Sequence, residues 1–98
     1  MTLTAQVLEK YPIHLDARAL RAVLGDVNRE MQTYADLIKR FETQHGSDLT
    51  AFEARLKRKE IAEHPGWEIA IEWGNATDER EKLNLIKRAL EWTLNFLN

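Results

Sequence analysis

Cysteine is missing from this chain, serine occurs once, proline twice, and no apolar run is long enough to cross a bilayer. Each scarcity removes a class of protein. Without cysteine there are no disulfides and no thiolate metal sites, and a catalytic thiol is ruled out. The single serine, Ser47, falls at an expected helix cap, and the four glycines stand apart, so neither a glycine-framed nucleophile nor a phosphate-binding loop can be built. A bilayer-spanning helix needs about 20 predominantly apolar residues. The start of the chain also lacks the basic region, apolar stretch and cleavage site of a secretory leader, so the expectation is a soluble cytoplasmic protein. Charge of one sign is absent too. Sixteen acidic residues against 14 basic ones, mixed along the chain, give a net charge of −2 and no broad positive field, which disfavours nucleic-acid binding by the free chain.

What is abundant is apolar residue at helical spacing. Ala17, Leu20, Leu24, Val27, Met31, Tyr34, Ile38 and Phe41 follow one another at alternating steps of three and four, a heptad seam that Val23 and Leu37 widen on one flank. The width suits a helix covered by two neighbours. Asp16 caps this helix and Gly46 supplies its left-handed stop, which predicts a helix over about residues 17–45. Gly25 inside it weakens it by about 1 kcal/mol relative to alanine. Before it, Thr2 or Thr4 caps a short helix that Pro12 ends after Lys10. After it, Ser47 or Asp48 starts another short helix carrying Leu49, Phe52 and Leu56, which fades after the basic stretch Arg55 to Lys59.

Pro65 then fits the first position of a fourth helical segment running to the end of the chain. Trp67, Ala70 and Ile71 share one face. Leu83, Ile86, Leu90 and Leu97 follow at heptad-compatible steps, with Leu85, Ala89, Trp92 and Phe96 on another face. The last turns are thus apolar around much of their circumference. Gly74 and Asn75 interrupt the pattern weakly, and the spacing favours one long helix with a kink at Gly74 over two separate helices. The expectation is a single all-α domain over residues 1–98. It is a helical bundle of two long antiparallel helices and two short ones, and the surplus apolar surface of its final turns points to a homodimer.

The densest polar group is Glu60, Glu63, His64, Glu68 and Glu72, which reads as a solvated acidic face rather than a metal site. Glu-x-x-His, the spacing of carboxylate-bridged metal bundles, occurs once, at Glu42 and His45, where two helices would have to supply it. All-helical nucleotide pyrophosphohydrolases bind magnesium through a Glu-x-x-Glu and a Glu-x-x-Asp pair; Glu60 and Glu63 match the first, whereas Asn75 and Asp78 break the second. That magnesium enzyme is the alternative reading. Trp67 and Trp73 are six residues apart and lie about 120° from alignment on a helix, so one should pack internally while the other is free to anchor a partner.

Phe41, Gly46, Leu49, Phe52, Leu56, His64-Pro65, Trp67-Glu68, Ile71-Glu72-Trp73, then Glu79, Leu83, Ile86 and Leu90, form an order that resembles small helical proteins of archaea and cyanobacteria encoded beside toxins. Members of that group are regarded as antitoxins of toxin-antitoxin systems. The resemblance covers a little over half the chain, mostly at packing positions, and leaves out the segment before about residue 30. It implies a non-enzymatic protein without catalytic residue, metal or cofactor, which neutralises a cognate toxin by covering its active site or distorting it. Carried onto this sequence, Trp67, Ile71 and Trp73 would be the apolar anchors, and Glu68 and Glu72 would meet basic groups on the toxin.

Overall fold

The computed structural model describes residues 16–97 and is helical throughout: α1 spans Ala17–His45, α2 Leu49–Lys57 and α3 Glu63–Leu97. The short helix expected before Pro12 lies outside the described residues. Each start has a chemical cause. Asp16 is extended and its carboxylate accepts from the Ala19 N–H at 2.7 Å, while Asp48, rather than Ser47, does the same for Ala51 at 2.8 Å. Gly46 ends α1 in the left-handed region at φ 65°, its N–H donating to the Glu42 carbonyl at 2.8 Å.

α3 begins less regularly than Pro65 alone suggests. His64 and Pro65 depart from helical angles, so the uninterrupted turns start at Gly66. Beyond that point the helix runs through Gly74 and Asn75 without a break. The cost of one glycine is about 1 kcal/mol, which the buried neighbours Trp73 and Ala76 outweigh.

α3 folds back antiparallel along α1, so that Phe41 near the end of α1 meets Trp73 near the start of α3, and Met31 lies across from Arg80 and Lys87. The result is elongated, 58 × 24 × 17 Å. Every residue of the heptad seam is buried or half-buried, with Leu20, Val27 and Phe41 the deepest. Of the two flanking positions, Leu37 packs against the core, whereas Val23 remains 47% exposed.

The core proper sits at the corner where all three helices converge. Phe41, Phe52, Leu56, Ala70 and Trp73 form one buried cluster, joined by Leu37, Ile38, Leu49, Ile61 and Ile69. Trp73 stacks on Phe41 with ring centroids 5.3 Å apart and meets Phe52 at 5.5 Å. His45 enters the same group, 4.8 Å from Phe52 and 5.9 Å from Trp73. The last residue of α1 is therefore a packing element as well as a group at the negative end of a helix.

Gly66 permits the close approach of α2 to α3, because a Cβ there would lie 2.7 Å from Leu56 Cδ1, a side chain held in the core. Gly66→Ala should therefore destabilise the fold by about 1–3 kcal/mol despite alanine's better helix propensity, and combining it with Leu56→Ala should cost less than the two single changes together. Trp73→Ala should cost about 3–5 kcal/mol and Trp67→Ala on the order of 1 kcal/mol or less. Chemical denaturation followed by circular dichroism measures each of these variants.

Candidate functional site

The first turns of α3 divide the five residues expected to touch a partner into two groups. Trp73 is 1% exposed at the centre of the aromatic cluster, so its indole is unavailable to another protein in this fold. Trp67, Glu68, Ile71 and Glu72 are all exposed. Trp67 and Ile71 lie one turn apart on the side of α3 turned away from the core, at 45% and 62% exposure, with Glu68 and Glu72 beside them. Gly66, Ala70 and Trp73 fasten the opposite side of the same turns. An apolar pair edged by carboxylates is thus displayed on a helix that cannot roll without unpacking the core.

His64 and Glu68 form the one polar pair within this group, with Nδ1 and Oε1 2.9 Å apart across one turn. That hydrogen bond, together with the Glu68 backbone N–H and the charge on His64 when protonated, holds the Glu68 carboxyl below the usual glutamate range. Both side chains stand in solvent, so the pair orients Glu68 more than it stabilises the fold.

The remaining carboxylates do not converge. Glu60 lies in the turn between α2 and α3 and accepts from Arg58 Nε at 2.7 Å, so it shares no helix face with Glu63. Asn75 and Asp78 stand further along α3, both exposed. Among the described residues no group of three or more His, Asp or Glu side chains gathers as it would around a metal ion. Arg55, Lys57, Arg58 and Lys59 point to solvent while Leu56 enters the core, so the basic run forms a solvated face of α2 and the turn after it. No described helix is long and apolar enough to cross a membrane.

Two further surfaces stand apart from this group, a groove that spacing did not indicate and the apolar last turns of α3 that it did. An open groove of about 570 Å³ lies between α1, the start of α2 and α3, floored by Met31, Ile38, Leu49 and Trp73 and edged by Glu42 and Arg80. The second is larger in apolar content. Leu85, Trp92 and Phe96 are 61%, 65% and 76% exposed along the last turns of α3, with Ile86 and Leu97 next to them. Trp92 and Phe96 meet each other with ring centroids 5.0 Å apart, and among the described residues neither pairs with a further aromatic.

The chain matches no protein-family model, no curated protein and no solved structure.

Because the folded Glu68 carboxyl is more acidic than in the unfolded chain, its small stabilising contribution is complete above the ordinary value of 4.5 and disappears as pH falls through the depressed folded value. Carboxyl NMR should find Glu68 titrating below 4.5 in the folded chain, and His64→Ala should return it toward 4.5. An unchanged Glu68 titration in that variant would show that His64 is not the cause.

Proposed function

We propose that this chain is a non-enzymatic protein-interaction module that works as an antitoxin does, by laying the outer face of α3 on a cognate protein. The observation that supports this most is the pairing of exposed Trp67 and Ile71 on turns whose inner side is locked by Gly66, Ala70 and Trp73. An aromatic anchor loses little conformational entropy on binding when its backbone is already fixed. Large apolar side chains exposed together on a rigid element mark interaction sites more often than they occur by chance. Glu68, oriented by His64, and Glu72 add negative charge beside the anchor. The complementary surface is an apolar recess with lysine or arginine at its edge.

Trp73 has a supporting role in this reading. It fixes the angle at which α3 leaves the corner and so the direction in which Trp67 points, without touching the partner itself.

Co-expression with the protein encoded by the adjoining gene tests the proposal. The two should purify together at one-to-one stoichiometry, and Trp67→Ala combined with Ile71→Ala should weaken the complex by at least about 100-fold, as expected when central interface residues are truncated. Glu72→Lys should weaken it less and mainly at low salt. Retention of the complex by the double variant, with its helical content unchanged, would refute this assignment of the surface.

A further inference from the structure

Five of the exposed apolar residues of α3 lie on one straight stripe, with Ile86 and Leu97 about 100° round the helix from it. An α-helix returns to the same direction after about five turns, or eighteen residues. Trp67, Ile71, Gly74 and Asp78 are repeated at that interval by Leu85, Ala89, Trp92 and Phe96. The side chains exposed along it, Trp67, Ile71, Leu85, Trp92 and Phe96, present on the order of 600 Å² of apolar surface at their observed exposures. With polar flanks this approaches the roughly 800 Å² per partner typical of stable complexes.

Two properties of the stripe select its occupant. Its spacing reads the same in both directions about a point between Glu81 and Lys82, so that a second α3 running antiparallel finds Phe96 opposite Trp67, Trp92 opposite Ile71 and Ala89 opposite Gly74. Large side chains meet large ones at the two ends, and small ones allow close approach between. The charge of α3 also changes sign at that point. From Glu63 to Glu81 it carries Glu63, Glu68, Glu72, Asp78, Glu79 and Glu81 against Arg80 alone, which is turned toward Met31; from Lys82 to Leu97 the exposed charges are Lys82 and Arg88 against Glu91, Lys87 being half-buried toward Met31. An antiparallel pair lays acidic half on basic half, and a parallel pair would lay acid on acid.

We infer that the outer face of α3 is covered by α3 of a second copy of this chain, antiparallel and two-fold symmetric about the Glu81–Lys82 step. The face overlaps that of the proposed antitoxin-like complex, so self-association and binding of the other protein exclude each other. The pairing itself requires no second protein. One position fits poorly: Asp78 faces Leu85 of the second copy.

The purified full chain, tested alone, decides this without reference to the cognate protein. Light scattering should give twice the chain mass of 11.4 kDa, dissociating as salt rises. Ile71→Glu and Trp92→Glu should each yield helical monomers, and Asp78→Leu should tighten association by about tenfold or more. Because the chain has no cysteine, an Asp78→Cys chain mixed with a Leu85→Cys chain under mild oxidation should form the mixed disulfide in preference to either symmetric one. A monomer at all concentrations overturns the inference, as does a dimer untouched by both glutamate variants. Preferential self-crosslinking of the Asp78→Cys chain overturns the antiparallel arrangement. Dimerisation only after removal of residues 1–15 overturns it as well, by assigning the face to that segment.

Discussion

The stacking of Trp73 on Phe41, closed on the other side by Phe52, is the contact on which the rest of the molecule depends. One indole belongs to α3, one phenyl to α1 and one to α2, so a single buried cluster fixes the mutual placement of all three helices. Helices joined by short turns have no other covalent restraint here, since the chain contains no cysteine. The turn after α2 could point α3 in many directions; the aromatic cluster, with Gly66 drawn in against Leu56, selects one.

From that corner the architecture thins. α2 ends at Lys57 and covers only the early turns of α3, and among the described residues the rest of that helix packs on α1. A helix has one stripe facing one neighbour, and α3 carries two. Leu83, Leu90 and Leu94 turn inward to differing depths, which leaves Leu85, Trp92 and Phe96 without cover. The exposed stripe, which begins already at Trp67 and Ile71, is thus the side of α3 on which neither α1 nor α2 packs. Its apolar character is unusual for a face that nothing else uses, because each exposed aromatic adds a risk of nonspecific association that a polar residue would avoid.

The same geometry joins stability to recognition. The residues that hold α3 and those that it displays alternate within single turns: Gly66 beside Trp67, Ala70 beside Ile71, Glu72 beside Trp73. A change in the buried set alters the angle of the displayed set, so loss of Trp73 would disturb a complex that it never touches. Distinguishing these two routes requires a measure of folding alongside any measure of binding.

Local chemistry alone determined much of this protein. The heptad run in α1, the aspartate caps at Asp16 and Asp48, and the Gly46 stop depend on neighbours within a few residues, and these are the features that the sequence makes legible. The angular offset between Trp67 and Trp73 likewise foretold that the two indoles would have different surroundings. Which of them went inside was settled by tertiary packing, because only the position of Phe41 and Phe52 across the corner distinguishes one helix face from the other. For the same reason Trp73 could be read as an anchor for a partner, His45 as part of a lone Glu-x-x-His spacing rather than a ring in the core, and Glu60 as the mate of Glu63. Periodicity states that a stripe must be covered. Which side is covered was decided by where α1 and α2 sit: among the described residues both pack on the side of Ala70 and Trp73, and Trp67, Ile71, Trp92 and Phe96 on the other side stay exposed.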